Sequence, residues 1–297
     1  MTPETTIRTF VAELPHGISL ACRTGALPPR AGAPRVLLLH GFPEAAFVWD
    51  EVIGFLGAEA LCWAPQLRGY VGSSAPAEVS AYRAKHLVAD LAALVAQQGA
   101  PIDLLVAHDW GGAAAWALAA QRPELLRRLL IINSPHPATF LRELKTNPAQ
   151  QQASAYMNFL CRPDAEVLLA ENDFARLWSF LGQPAWLTPE VRRQYRATWQ
   201  GGLAGPLNYY RASPLRPATR PDEALQQIVL DDDAVAVHVP THVLWGDADR
   251  ALLPALLTGL ERWVPQLTVE RVPEASHWIV HEQPQRVAAT IRRLLAA

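Results

Sequence analysis

The chain has 297 residues, half of them hydrophobic and 18% charged, with a formal net charge of -2. That composition supplies a sizeable buried core and leaves room for one large domain carrying an insertion. Near-neutral charge and scattered arginines give no electrostatic case for nucleic acid or an anionic membrane. Cys22, Cys62 and Cys161 lie far apart without CxxC or metal spacing, so neither a disulfide framework nor a zinc site is expected.

The opening Met1-Thr2-Pro3-Glu4-Thr5-Thr6 has no basic stretch followed by an apolar run and does not read as a signal peptide. No apolar run approaches the roughly 18 residues needed to span a bilayer, and a cytoplasmic location is expected. Alternating segments Ile7 to Leu14 and Gly17 to Arg23, parted by Pro15-His16-Gly17, predict a β-hairpin. Short apolar runs follow: Val36 to Leu39, Ala60 to Trp63, Leu104 to Val106 and Leu129 to Ile132. Helical stretches Tyr82 to Gln98 and Gly112 to Gln121 stand between them. Unbroken strands alternating with helices predict a mostly parallel, doubly wound sheet covered on both faces.

After Asn133 the alternation fails. From about Pro137 to Arg220 the chain reads as helical pieces rich in Trp, Tyr, Arg and Ala, broken by prolines. It resumes with a strand Thr241 to Trp245, a helix Pro254 to Trp263, a strand Leu267 to Val272 and a helix Gln283 to Leu295. The expected organisation is an α/β core over 1–136 and 226–297, with a helical lid inserted over 137–225. A separate C-terminal domain is disfavoured, because two strands alone bury too little.

The strand ending at Ala107 runs through His108-Asp109-Trp110 into Gly111-Gly112 and a helix of small residues. A strained strand-to-helix turn leaves no room for side chains two positions either side of its central residue, and Ala107 and Gly111 meet that demand around Asp109. A carboxylate at such a corner attacks an sp³ carbon and forms an alkyl ester. The plainer alternative is an Asp that only caps the helix.

Five segments in this order resemble the epoxide hydrolase branch of the α/β-hydrolase superfamily. They are His40-Gly41-Phe42-Pro43-Glu44, Arg68-Gly69-Tyr70, His108-Asp109-Trp110-Gly111-Gly112, Trp245-Gly246-Asp247-Ala248-Asp249 and Ser276-His277-Trp278. The likeness runs from about Arg35 to Leu294. It implies the α/β-hydrolase fold, Asp109 as nucleophile and His277 as base, with His281 the nearest competitor. Asp249 is the orienting acid it favours, with Asp247 the alternative, because Asn133 fills the position some relatives give to this acid. A turn at His40-Gly41 would aim the backbone N–H of Phe42 at the same point as that of Trp110, making an oxyanion hole. His40 is expected to hold that loop, and the resemblance suggests a cis bond before Pro43.

Opening an epoxide needs proton donors of phenol-like acidity, whereas releasing a halide needs only N–H groups. Ser154 to Phe159 and Leu207 to Arg211 resemble the lid segments that present two tyrosines, and the match falls on Tyr156 and Tyr210, with Tyr209 turned about 100° away. Trp178, Trp186 and Trp199 are expected to wall an apolar substrate site. The expected partner is a small hydrophobic epoxide, with no cofactor, metal, nucleic acid or membrane, and a homodimer is left open. A haloalkane-type dehalogenase on the same three residues is the second reading, and a non-catalytic ligand-binding protein on this fold is the third. Relatives read Asp-x-Arg-Gly-Tyr-Gly where this chain has Gln66-Leu67-Arg68-Gly69-Tyr70-Val71, which puts the geometry of that loop in question.

Overall fold

The apolar runs become the middle of one sheet. The computed structural model describes residues 7–217 and 223–297; the N-terminal segment read for a leader (1–6) and residues 218–222 near the end of the expected insertion lie outside the described residues. Strands β1 (Ile7–Glu13) and β2 (Ser19–Gly25) form the hairpin, followed by β3 (Arg35–Leu39), α1 (Asp50–Leu56), β4 (Leu61–Pro65) and α2 (Ala84–Gln98). Next come β5 (Leu104–His108), α3 (Asp109–Gln121) and β6 (Leu129–Ile132). Between β6 and β7 stand α4 (Pro137–Thr146), α5 (Pro148–Ala153), α6 (Tyr156–Leu160), α7 (Ala165–Leu181), α8 (Pro189–Gln200), α9 (Ala204–Ala212), α10 (Glu223–Gln227) and α11 (Asp232–Val235). The chain closes with β7 (Thr241–Gly246), β8 (Leu267–Val272), α12 (Ile279–Glu282) and α13 (Pro284–Ala296).

The strands form one sheet in the order β1-β2-β4-β3-β5-β6-β7-β8. β1 and β2 pair antiparallel, β2 joins β4 antiparallel, and every pairing from β4 to β8 is parallel. Side chains alternate between two fully covered faces. Leu37, Leu39, Leu105, Ala107 and Ile131 pack towards α2, α3 and the inserted helices. Val36, Leu38, Leu104, Val106 and Ile132 pack towards α1 and α13. Burial on both sides explains why these strands are apolar without alternation in the sequence.

Two expectations are corrected. The helix expected over Pro254 to Trp263 is two short 3-10 turns, Pro254–Leu257 and Leu260–Arg262. Gly259, at φ +71°, breaks the run between them in a left-handed conformation that ends helices. The α2 helix begins at Ala84 rather than Tyr82, because Arg83 is extended. The substituted loop at Gln66 holds by other means. Gln66 Oε1 accepts the Ala46 N–H at 2.9 Å, and Arg68 forks onto Asp90 of α2. No helix among the described residues is long and apolar enough to cross a membrane.

Candidate active site

Asp109 sits where β5 turns into α3, at φ +49°. A non-glycine residue in this region costs on the order of 1–3 kcal/mol and survives only where its surroundings over-determine it. Here they do. A Cβ on Gly111 would lie 2.6 Å from the His40 carbonyl oxygen and 2.7 Å from the Leu39 carbonyl carbon, so only glycine lets α3 start this close to β3. Ser134 Oγ donates to the Asp109 carbonyl at 2.7 Å, tying the turn to the end of β6.

The carboxylate faces the loop after β3. The Phe42 N–H donates to Asp109 Oδ1 at 2.8 Å, and the neighbouring Trp110 N–H acts with it to lower the carboxyl. Burial raises the Asp109 carboxyl, while His277, His108 and these two N–H groups pull the other way. The Phe42–Pro43 bond is cis. His40 spans the loop: its Nε2 accepts the Leu67 N–H at 3.1 Å, leaving Nδ1 to donate to the Gly41 carbonyl at 3.0 Å. Burial lowers its pKa to about 4, so the ring is neutral and holds the turn.

His277 lies beyond β8. Its Nδ1 meets Asp249 Oδ2 at 2.7 Å, and its Nε2 stands 3.8 Å from Asp109 Oδ2. Asp249 is buried with both oxygens engaged: Oδ1 accepts the N–H groups of Ala251 and Leu252, and Oδ2 also accepts from Asn133 Nδ2 at 2.8 Å. Burial alone would raise Asp249, but His277 and these donors bring it below its usual value. Burial likewise depresses His277, yet Asp249, Asp109 and Glu44 together lift it to about 9. Asp247 points elsewhere, to Arg271 at 2.9 Å.

Inserted helices cover the carboxylate. Tyr156 at the start of α6 and Tyr210 near the end of α9 bring their rings edge to face at 6.2 Å. The Tyr210 ring rests edge-on against Trp110 and Phe42. Burial, then nearby Tyr156 and Asp109, push the Tyr210 phenol well above its ordinary pKa, and burial with Asp109 does the same to Tyr156. Both are therefore protonated donors. Tyr209 turns away, giving its hydroxyl to the Arg68 carbonyl at 2.9 Å. α9 can approach this closely because Gly205 lies directly on the backbone of Gly69, with no room for a Cβ between them.

A cavity of about 610 Å³ opens from Asp109, walled by Trp110, Tyr156, Met157, Phe140, Leu252 and Tyr210 among others. The three tryptophans expected to wall it stand outside its lining and pack with one another and the core. Trp199 donates to the Pro43 carbonyl at 2.8 Å, Trp178 packs on Trp199 at 4.4 Å, and Trp186 stacks on His281 at 4.3 Å. Their partners are the Pro43 carbonyl, each other's rings and His281 of α12.

One group escaped the sequence reading. Glu44 is fully buried and pairs with His108 Nδ1 at 2.9 Å, and His108 Nε2 meets the His277 carbonyl at 2.9 Å. Tyr195 reaches His281 at 2.9 Å and Glu44 at 3.5 Å. Burial acts to raise Glu44, but His108, His281 and His277 hold it at about 2. The signal was present: Glu44 closes the His40-to-Glu44 segment and His108 precedes Asp109, but neither spacing alone says that they meet.

The model of the α/β-hydrolase fold family matches residues 34–284. The chain is 35% identical to AB hydrolase superfamily protein YfhM of Bacillus subtilis, over 90% of this chain and 91% of that one. It is 31% identical to epoxide hydrolase 3 of Xenopus tropicalis, over 88% of this chain and 71% of the relative. Among solved structures, one from work on novel epoxide hydrolases in hot-environment metagenomes superposes with a TM-score of 0.87 at 34% identity, covering 98% of this chain and 99% of that one. The chain belongs to the α/β-hydrolase-fold family. Within it, the chain falls in the epoxide hydrolase branch.

Proposed function

We propose that the protein hydrolyses an epoxide to a vicinal diol through an alkyl ester on Asp109. The observation that carries this reading is the pair of neighbouring phenols, Tyr156 and Tyr210, lining the same cavity as the Asp109 carboxylate with their rings 6.2 Å apart. An epoxide oxygen leaves as an alkoxide and needs a proton; a halide does not. In the first step Asp109 attacks one epoxide carbon, its C–O bond breaks, and a phenol protonates the departing oxygen; the phenolate regains its proton from the His277 imidazolium, which leaves His277 as the neutral base. In the second, His277 takes a proton from water, which attacks the ester carbonyl carbon. The N–H groups of Phe42 and Trp110 receive the oxyanion, and collapse returns the carboxylate and frees the diol.

Electrostatics supports the order of these steps. In the free protein, Asp249, Asp109 and Glu44 favour protonated His277. Esterification removes the Asp109 charge, so the imidazole becomes easier to deprotonate when a base is needed. Asp249 stays ionised beside it and steadies the imidazolium. The names of the epoxide hydrolase relatives agree with this chemistry.

The test is accumulation of the ester. His277→Gln incubated with styrene oxide should gain the mass of one whole epoxide, located by peptide mapping on Asp109, while Asp109→Ala should gain nothing and form no diol. Diol formation by folded Asp109→Ala, or an adduct on another residue, overturns the reading.

A further inference from the structure

The turn that carries the Phe42 N–H is held from two sides. From the core, the Gly41 carbonyl, which shares its peptide with that N–H, accepts from His40 Nδ1 at 3.0 Å and from the Tyr70 hydroxyl at 3.2 Å. From the insertion, Trp199 in the last turn of α8 donates its indole N–H to the Pro43 carbonyl at 2.8 Å. Phe42 is thus fixed by the carbonyl before it and by the carbonyl after it, and the second of these bonds comes from the lid.

Trp199 is wedged in place. It is buried, and its ring meets Trp178 at 4.4 Å, Tyr195 at 5.4 Å and Phe174 at 5.5 Å. Two residues on, a Cβ at Gly201 would stand 2.6 Å from Val71, so this end of α8 sits directly on the loop that also bears Tyr70. Phe174 reaches Trp199 from an uncommon backbone. Asn172, Asp173 and Phe174 are all left-handed, at φ +50°, +54° and +61°, inside α7. Residues with a Cβ adopt this conformation singly rather than in runs, because each Cβ crowds the following carbonyl oxygen. Such strain persists only where the surroundings over-determine it. The ion pair of Asp173 with Arg196 is solvent-exposed and contributes little. The buried contact is that of Phe174 with Trp199, so the strained turn is held by the cluster it braces.

We propose that Trp199 is a positioning residue, through which the inserted helices hold the Phe42 N–H on the Asp109 carboxyl and complete the oxyanion hole. This rests on Asp109 forming the alkyl ester. The two chemical steps ask opposite things of that N–H. Attack on the epoxide drains charge from the carboxylate, so the donor is needed less in that transition state than before it. Hydrolysis builds charge on the ester's carbonyl oxygen, and there the aim of the donor sets the rate. A loosened turn therefore slows ester decay and spares ester formation, a split that a general loss of packing does not produce.

Rapid quench with styrene oxide reads the two steps separately. Trp199→Phe removes the N–H and keeps an aromatic ring in the cluster. Benzothienylalanine placed at position 199 keeps the size and shape of the indole and puts sulfur where the N–H was, so it decides the matter if the phenylalanine variant folds poorly. Ester decay should slow by about tenfold in both proteins, less than the loss of a whole oxyanion donor, while ester formation stays within about twofold of the parent. Decay at the parental rate in the benzothienylalanine protein overturns the proposal, as do two steps slowed alike. Both of those failures leave the parent forming its ester on Asp109; a parent that forms none overturns the reading of Asp109 itself, and the role of Trp199 falls with it.

Discussion

Asp249→Asn changes one atom in a site where every oxygen is already committed. Oδ1 accepts two backbone N–H groups, at 2.8 and 2.9 Å, so the amide oxygen of an asparagine belongs there. Its NH₂ group then faces Asn133 Nδ2 and His277 Nδ1. Asn133 has no freedom to flip, since its Oδ1 accepts the Gly246 N–H at 2.8 Å and its Nδ2 also donates to the Gly246 carbonyl. Two donors thus confront each other in a buried site, which costs about 1–3 kcal/mol and lowers the melting temperature by a few degrees. The imidazole must accept at Nδ1 and carry its proton at Nε2, the nitrogen that faces Asp109. A base protonated on its working nitrogen takes no proton from water. The expected result is a hydrolytic step slowed by roughly 10⁴-fold, with formation of the ester much less affected. Rapid quench followed by intact mass measurement separates the two steps, showing an ester that builds up and decays slowly. Ester decay at the parental rate in this variant refutes the reasoning, as does a slow decay produced instead by Asp247→Asn.

Tyr156→Phe and Tyr210→Phe each remove one O–H and keep the ring, so single-turnover alkylation by styrene oxide should slow on the order of 10²-fold for each and almost stop in the double variant; parental alkylation in the double variant would make the tyrosines packing groups only. For pH, His277 stands at about 9 beside two carboxylates, and forming the ester neutralises one of them. The hydrolytic step, which needs the neutral ring, should therefore rise with pH along a limb centred below 9, measured by decay of preformed ester; a limb centred at or above 9 contradicts that coupling.

Much of this was legible because the sheet's centre leaves no choice. Strands buried on both faces must be apolar throughout, and the runs at Val36, Leu104 and Leu129 reveal them directly. The corner at Asp109 was equally plain, since Gly111 is demanded by contact with backbone rather than by propensity. The break at Gly259 was harder: a glycine inside a periodic pattern costs only about 1 kcal/mol, and nothing local says that this one turns left-handed. The tryptophans illustrate another limit. Composition marks them as apolar and lid-borne, but which face of α7 and α8 meets the core depends on residues far away, such as the Pro43 carbonyl that captures Trp199. The buried pairing of Glu44 with His108 joins residues 64 positions apart and has no periodic trace at all.

The contact of Gly205 on Gly69 has a consequence for how this protein changes over generations. Because α9 meets the loop backbone to backbone, the height of Tyr210 above Asp109 is a property of main chain rather than of any replaceable side chain. Substitutions along the cavity wall can widen, shorten or re-charge the passage while the phenol keeps its station. A drifting lineage is thus free to explore new substrates without renegotiating the chemistry. The two glycines themselves are closed to change, since even an alanine there would lift the roof from its bearing.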